Sequence, residues 1–470
     1  MTIVERHRTA ITRNALSHPA RQALIDGVVE GTVLDYGSGR GGDSIRLADM
    51  GLDVSAWDPH FNPGTPGPVD TVLMTYVVNV IEDPRERERT VASAWELADH
   101  CLVVAARLVW DQRRVRGKKL SDGVVTSRRT FQHLFTSQEL RTFVEKVTGA
   151  KVVTASPGVV YAFRDDKTRL SFLARRVSPD TEWLSSEDAA TALDALVYFA
   201  ETRGRPPTIE EMPDDVLQFM GHIRLQDLRR LILQASDNTR IEMAARRTTL
   251  NTLLLLGMEL FNGRGTFSSL PLSVQADVRA CFKSYREACQ RSDRLLLKLR
   301  DDQYLRGAMR NSVGKLTPTA LYVHRRAMEQ MPVVIRLYEH CAAMVAGRPR
   351  DWNLVKLTHS GRKVSWLDYP QFDRNPHPTL ESSYHVDLTT LKTGFTSYSA
   401  SANRPLLHRK HEFLADDDPD LPKYQRLTRA EVKAGLYRRP ELIGTEDGWR
   451  SALSEGGVRL RGHRLVRSST

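Results

Sequence analysis

A glycine-rich turn between an apolar strand and a helix constrains the fold of this chain most. Residues 32–43 read TVLDYGSGRGGD, in which Val33–Asp35 has the pattern of a buried strand and residues 43–50 have a helical period. A strand, a glycine turn and a helix in this order build the nucleoside-binding corner of a doubly wound sheet. The segment therefore predicts an α/β domain that holds a nucleoside cofactor at the carboxyl ends of its strands.

Two acidic residues indicate which cofactor this is. Asp35 stands two residues before the first glycine, near the expected amino end of the cofactor, and favours S-adenosylmethionine over a dinucleotide. Asp58 ends the second strand and fits an acceptor for ribose hydroxyls. Gly37, Gly39 and Gly41 would let the backbone approach the cofactor with no Cβ in the way, so that its carboxylate meets N–H groups at the helix start.

The glycines alone leave a second cofactor open. Gly37, Gly39 and Gly42 also satisfy the loose dinucleotide spacing, which would fit a nicotinamide-dependent oxidoreductase. Asp35 and the run that follows the third strand disfavour that alternative.

The run after the third strand, residues 76–84 (YVVNVIEDP), predicts the acceptor side of the site. Tyr76 and Val77 are predicted to contact the cofactor. Asn79, Glu82 and Asp83 are candidate catalytic residues, with either carboxylate as a general base. The alternative for Asp83 is to cap the helix that begins with the next residue, a proline.

The order of elements predicts a class I methyltransferase sheet, Rossmann-like and doubly wound. Strands at 69–74 and 101–106 alternate with helices at 84–97 and 136–149, and a hairpin at 151–163 closes the pattern with an antiparallel last strand. Only 11 residues separate Asp58 from Asp70, too few for a helix and a strand. Class I methyltransferase sheets usually have one more strand between the second strand and the strand found here at 69–74. That strand is therefore predicted to be missing or reduced to a loop.

Three domains are predicted: a cofactor-binding methyltransferase domain at 1–176, a helical domain at 177–347, and a mixed α+β region at 348–470. Helical periods cover the ranges 187–203, 214–235, 240–262, 272–301 and 318–346. Near the end of the chain, Thr428 and Glu431 have the spacing of a capping box, which predicts the start of a helix.

The charge of the chain permits an acidic partner. The net charge is +11 over 470 residues and is not confined to a tail, since 25 Lys/Arg and 21 Asp/Glu lie in the first 176 residues. DNA or a DNA-modification complex is the predicted partner, beside the plainer reading of a soluble, arginine-rich protein. The predicted phosphate contacts are Arg113, Arg114, Arg116, Lys118 and Lys119, for which a solvated basic loop is the alternative.

Other classes of function receive no support from the sequence. Four cysteines without a Cys-x-x-Cys pattern, a charged start and no long apolar run predict a cytoplasmic protein without disulfides, metal site or membrane span. Asn79-Val80-Ile81 lacks the Pro-Pro-aromatic run of DNA amino-methyltransferases, and no cysteine follows a proline as cytosine carbon-5 enzymes require. The oligomeric state is not predicted.

Several of these segments together resemble one family, the methyltransferases associated with DNA phosphorothioation. The resemblance rests on residues 35–43, 57–59, 76–84, 157–159, 163–165, 407–410, 443–445 and 448–449. It implies a bacterial protein linked to DNA sulfur modification and restriction, with S-adenosylmethionine as cofactor and the methyl acceptor open. The alternative is a non-catalytic, DNA-associated component of a defence complex that keeps the cofactor-binding fold.

Overall fold

The structure is a computed structural model that describes residues 5–115, 117–178, 182–221 and 223–468. The chain forms two compact units. The first combines Met1–Arg164 with Asp302–Thr470, and the second is Asp165–Asp301.

The amino-terminal part of the first unit is built on a six-stranded sheet. Its helices and strands are α1 (His18–Ile25), β1 (Val33–Tyr36), α2 (Gly42–Asp49), β2 (Val54–Trp57), β3 (Val69–Thr75), α3 (Pro84–Leu97), β4 (Ala98–Ala105), β5 (Gly117–Leu120), β6 (Gly123–Thr126), β7 (Phe131–Gln132), α4 (Ser137–Thr148), β8 (Val152–Ser156) and β9 (Val159–Phe163). Strands β5, β6 and β7 form a separate small sheet.

The strand order of the main sheet is β2-β1-β3-β4-β9-β8. Strands β2, β1, β3 and β4 pair in parallel, and β9 runs antiparallel between β4 and β8. This is the class I methyltransferase order without its third strand, because β2 is the edge and the next strand in sequence pairs on the other side of β1. The predicted fold class and the missing strand are confirmed.

Local sequence signals place the helices of this part. Asp83 caps α3, which begins at Pro84 where the missing N–H costs nothing. Thr136 and Glu139 form a reciprocal capping box at α4, which ends at Gly149 with φ of 69°. The apolar faces of both helices pack on the sheet in one buried cluster, so the strand ends are held rigidly.

The carboxyl-terminal part of the first unit contains a second six-stranded sheet. Its helices and strands, numbered after those of the second unit, are α12 (Asp302–Arg310), β10 (Lys315–Leu316), β11 (Ala320–His324), α13 (Val333–Ala346), β12 (Leu354–Thr358), β13 (Lys363–Asp368), β14 (Ser382–Asp387), β15 (Lys392–Ser397), α14 (Leu421–Lys433), α15 (Glu446–Glu455), β16 (Val458–Leu460) and β17 (Leu465–Arg467). Strands β10 to β15 form an antiparallel meander in sequence order, and β16 pairs with β17.

Helix α13 links the two parts of the first unit. It packs against β8 and α4 of the first sheet and against β14 of the second. Glu339 on this helix is fully buried, accepts a 2.9 Å hydrogen bond from Trp366 Nε1, and pairs with Arg348 at 2.6 Å. The rings of Trp110 and Tyr384, one from each part, lie 5.1 Å apart. The antiparallel meander of β10 to β15 is therefore packed, through α13, onto the sheet of β1 to β4, β8 and β9.

The second unit is helical. Its helices are α5 (Asp166–Val177), α6 (Ala189–Arg203), α7 (Asp214–Met220), α8 (Leu225–Ala235), α9 (Asn238–Glu259), α10 (Leu272–Cys281) and α11 (Tyr285–Lys298). A buried ion pair joins α5 to α9, with Arg169 Nη2 lying 2.6 Å from Glu259 Oε2.

The predicted helix at 318–346 is wrong in its first half. Residues 320–324 form β11, because this short run with Tyr322 and Val323 pairs along its whole length with β12. A 3₁₀ helix (Arg325–Gln330) follows, and only α13 is an α-helix. The helical unit accordingly spans 165–301, whereas the sequence placed that domain at 177–347.

Three helix boundaries also differ from those predicted. The range 214–235 is broken between Met220 and Leu225, and 272–301 is broken before Ser284, which caps α11. Thr428 does not begin a helix. It lies buried within α14, whose first turn instead carries a proline. The spacing of Thr428 and Glu431 lies inside a longer apolar period and does not mark the start of a helix.

Candidate functional site

A cavity of about 750 Å³ opens where β1, β2 and β3 end. Six of the seven residues predicted to bind a cofactor line it: Asp35, Gly37, Gly39, Asp58, Tyr76 and Val77. The seventh, Gly41, is the N-cap of α2 with φ of 73° and supports the turn from behind. The carboxyl edge of the sheet thus brings these residues together as parallel strand topology requires.

The turn after β1 is shaped to leave room in this cavity. Gly37 has φ of +76°, and a Cβ there would lie 2.5 Å from Val77 Cγ2. Its N–H and that of Ser38 donate to the carbonyl of Trp57, at 2.8 and 3.0 Å. A side chain at this glycine would strain the backbone and collide with the far wall, so the turn forms a cradle that a Cβ would fill.

Asp35 is a buried carboxyl group at the floor of the cavity. Burial, with the nearby charge of Asp43, raises the pKa of Asp35 to about 7, against hydrogen bonds donated by Ser44 and the positive charge of Arg13 that lower it. Its side chain is only 2 % exposed. A cationic ligand group in the cavity would favour its charged form.

Asp58 organises the turn that follows β2. Its Oδ1 accepts hydrogen bonds from the backbone N–H groups of His60 and Phe61, both at 2.9 Å, and its Oδ2 accepts one from Gly39 N–H at 3.0 Å. A carboxylate offers about four acceptor positions. Asp58 lines the cavity, and one of these acceptor positions is left for a ligand hydroxyl.

Tyr76 and Asn79 form the wall beyond β3. Tyr76 has φ of 62°, an uncommon conformation for a residue with a Cβ, and burial raises the pKa of its hydroxyl. Asn79 is 1 % exposed, and its Nδ2 donates to Gln132 Oε1 at 3.1 Å. Its Oδ1 is buried without a hydrogen-bond partner among the described residues. Strain and an unsatisfied acceptor therefore occur together on this wall.

The two carboxylates predicted beside Asn79 have other contacts. Asp83 Oδ1 accepts from Arg85 N–H at 2.9 Å as the cap of α3, and Glu82 pairs with Arg6 Nε at 2.8 Å. Neither lines the cavity, whereas Glu86, one turn into α3, does.

Residues 6–18 form a wall of the cavity that the sequence did not predict. Arg13 lies 3.6 Å from Asp43 and 5.5 Å from the ring of Tyr76, and the ring of His7 stacks on His60 at 4.5 Å. The Ser17 N–H donates to Asp43 Oδ1 at 2.7 Å. No sequence motif marks residues 6–18. Their partner Asp43, which directly follows the glycines, is the signal that could have indicated a contact at this turn.

Lys118 and Lys119, two of the predicted phosphate-binding residues, do not line this cavity. Arg113 and Arg114 end a 3₁₀ helix (Val109–Arg114), and Arg116 lies outside the described residues. Lys118 and Lys119 are exposed on β5. As successive residues of one strand, these two lysines point to opposite faces of the small sheet.

Membrane-spanning helices and metal clusters are both absent from the described residues. In that part of the chain, no helix combines the length and apolar character that crossing a membrane takes. Nor do its His, Cys, Asp and Glu side chains gather in groups of three or more that could hold a metal ion.

Comparison with known proteins gave structural likenesses only. No protein-family model and no curated protein matches the sequence. The magnesium protoporphyrin IX methyltransferase of Synechocystis PCC 6803 is 17 % identical over 31 % of this chain and 80 % of its own, with a TM-score of 0.23. The 1,6-didemethyltoxoflavin-N1-methyltransferase of Burkholderia thailandensis is 16 % identical over 32 % and 78 %, with a TM-score of 0.24. An S-adenosylmethionine-dependent methyltransferase of Thermotoga maritima is 16 % identical over 31 % and 88 %, with a TM-score of 0.23. Likenesses at these scores assign neither activity nor substrate to the chain.

Proposed function

We propose that this chain is an S-adenosylmethionine-dependent methyltransferase. The observation that carries the proposal is the buried carboxyl of Asp35 at the floor of the cavity, between a glycine cradle and the acceptor oxygens of Asp58. An anionic floor suits a ligand with an ammonium group, and Asp58 suits one with ribose hydroxyls. A dinucleotide phosphate, by contrast, would gain nothing from the charged form of Asp35.

The residues present fit this cofactor group by group. S-adenosylmethionine, when bound, supplies an electrophilic methyl group on a sulfonium. Asp35 would hold its ammonium, the N–H groups at the start of α2 its carboxylate, and the remaining acceptor position of Asp58 a ribose hydroxyl. The stacked rings of His7 and His60 line the same cavity and would flank the adenine in place of the absent third strand.

On the acceptor side, Asn79 and Tyr76 would position the group to be methylated. The amide of Asn79 is held by Gln132, so its orientation is set before a ligand enters. Glu86 and Asp111 also line the cavity and are the carboxylates within it on this side. Because Asp83 caps a helix and Arg6 pairs with both Glu82 and Glu86, we infer that a proton acceptor, if the reaction needs one, is Asp111.

We also propose that the enzyme acts in DNA phosphorothioate modification or restriction. The support is the resemblance of the segments at 35–43, 76–84 and 407–410 to that family. The acceptor is DNA in this proposal, and phosphorothioated duplex, plain duplex, total RNA and protein extract are the four arms of a labelled-methyl assay. Label on protein alone, or on RNA alone, would contradict the DNA assignment.

The cofactor is tested by calorimetry with S-adenosylmethionine in buffers of different ionisation enthalpy. Because Asp35 is mostly protonated at pH 6 and must ionise to face the ammonium, binding at this pH should release close to one proton. Asp35→Asn should bind weakly and release none. No binding by the wild-type chain would refute the cofactor. Binding without methyl transfer to any of the four arms would instead identify a non-catalytic component that retains the cofactor site.

A further inference from the structure

The hairpin near the end of the chain has two unlike faces. Strands β16 and β17 pair Val458 with Arg467 and Leu460 with Leu465, and Arg461 and Arg464 exchange backbone hydrogen bonds across a two-residue loop. Since successive residues alternate faces, the valine and both leucines share one face. Val458 and Leu465 pack there against a buried cluster that contains Leu436 and Trp449.

The opposite face carries three arginines. Arg459 lies on β16 and Arg461 directly follows the strand, with Arg464 directly across from Arg461. Val466, which pairs with Arg459, shares this face. All three side chains are exposed. Within the described parts of the chain, none of them has an ion pair or a side-chain hydrogen bond. Three guanidinium groups on one face therefore carry charge that the fold does not neutralise.

The loop of the hairpin is anchored rather than free. His463 Nε2 accepts a 3.1 Å hydrogen bond from Lys410 Nζ, and its ring lies 5.3 Å from that of Tyr424 on α14. Together with the partly buried apolar face, this contact holds the ribbon along its inner side and at its loop. The arginine face is thus held in place before any partner arrives, which lowers the entropy cost of binding.

The neighbouring helix adds to the positive charge. Helix α14 packs against β17 and exposes Arg426, Arg429 and Lys433, whose spacing places them along one stripe. Over residues 421–470, 11 Lys/Arg stand against five Asp/Glu. Of those acids, Glu431 is buried and bound by His377 and Tyr437. The excess charge therefore faces solvent.

We propose that the arginine face of the β16–β17 ribbon binds the phosphate backbone of duplex DNA, with the ribbon in the major groove. A two-stranded ribbon fits the width of that groove in B-form DNA, whereas the major groove of duplex RNA is too deep and narrow. Arginine pairs with phosphate in a two-pronged geometry. A membrane surface fits less well, because Val458 and Leu465 are partly buried against the protein and Val466 is the one apolar residue among the arginines of the other face.

The arginines of the β16–β17 ribbon share one face, whereas Lys118 and Lys119 on β5 do not. Those lysines point to opposite faces of their sheet, so they cannot contact one phosphate run together. DNA binding by this face needs neither a cofactor nor methyl transfer. A negative result for DNA binding therefore leaves the proposed methyltransferase function standing, and the reverse also holds.

The test is a titration of the full chain with a fluorescent 30-base-pair duplex at several salt concentrations, without cofactor. The variant replaces Arg459, Arg461 and Arg464 together by Gln. If each contacts one phosphate, log K against log salt should become shallower by about 2.7, from about 0.9 per contact. The matched control, Arg439→Gln with Arg450→Gln, removes exposed arginines that are paired with Glu455 and Asp447 and should keep the wild-type slope.

Three results would overturn the proposal: no duplex binding by the wild-type chain, an unchanged slope in the triple variant, or equal binding of duplex RNA. Tighter binding of the wild-type chain to vesicles of anionic lipid than to the duplex would reassign the face to membranes. Because the three arginines are exposed and unpaired, the triple variant should melt like the wild type. If it does not, replacing each arginine singly by Gln should make the slope shallower by about 0.9 per variant, and an unchanged slope in all three would overturn the proposal.

Discussion

Asp35 offers a direct test of whether the cofactor floor is built as described. Its ordinary pKa of 3.8 is raised to about 7 in the folded chain, mainly by burial. Between these values the folded protein keeps a proton that the unfolded chain has released. The free energy of unfolding must then fall as the pH rises through this window, and the loss is complete above pH 7. Asparagine does not titrate, so Asp35→Asn removes this dependence.

The size of the effect follows from the two pKa values. A tenfold difference in proton affinity between the folded and the unfolded chain corresponds to about 1.36 kcal/mol. Linkage over the part of the window between pH 5 and pH 8 amounts to about 2.5 kcal/mol. We therefore expect Asp35→Asn to gain that much stability relative to the wild type over this range, in the absence of any ligand.

The measurement is urea unfolding followed by tryptophan fluorescence at pH 5, 6, 7 and 8. All tryptophans except Trp183 lie in the first unit, so the signal reports mainly on the unit that holds Asp35. The control for the loss of one carboxyl group is Asp49→Asn, at an exposed position on α2, the helix that follows the glycine turn. A difference between Asp35→Asn and the wild type that is the same at all four pH values would refute the buried, protonated carboxyl.

Two further substitutions test the cradle and the helical unit. Gly37 and Gly27 both have positive φ, so alanine at either position should cost about 1–2 kcal/mol of stability. Gly37→Ala should cost more than Gly27→Ala, because only at Gly37 would the new Cβ meet a neighbour, Val77 Cγ2 at 2.5 Å. Adding Val77→Ala should recover the difference, measured by the same urea unfolding. Glu259→Gln leaves the buried Arg169 with Asp166 as its remaining counter-charge and should cost about 3 kcal/mol, the lower end for a broken buried pair. The loss is followed by Trp183 fluorescence, and Glu287→Gln at a more exposed pair should cost under about 1 kcal/mol.

The sequence predicted the cofactor edge well because its signals are local. A glycine that must adopt positive φ, a strand that is buried on both faces, and a proline after Asp83 each act within a few residues. The missing strand could be predicted for the same reason, since 11 residues cannot hold both a helix and a strand. Every one of these features is decided by chain geometry before tertiary packing begins.

The rest depended on contacts far apart in sequence. β11 looked helical in period and became a strand because β12 pairs with it. The wall formed by residues 6–18 is held by Arg13 against Asp43 and by Arg6 against Glu86, 80 residues away. Charged residues without a motif give no sign of the partner they will meet, so the enclosing wall of the cavity was not predictable.

Asp35 and Asp83 show how far a local pattern can decide a function. Asp35 lies within β1 and Asp83 directly precedes α3, and the sequence allowed a chemical role for each. Asp83 had a complete structural alternative, because an acid before Pro84 caps a helix, and the structure places it there, outside the cavity. Asp35 has no cap pattern of this kind in the sequence, and in the fold the hydrogen bonds from Ser44 do not offset the burial that raises its pKa, so its carboxyl group costs stability unless a ligand faces it. An acid that no local structural role explains is therefore the better marker of a site, and the Asp35→Asn measurement tests that reasoning at the position where it is strongest.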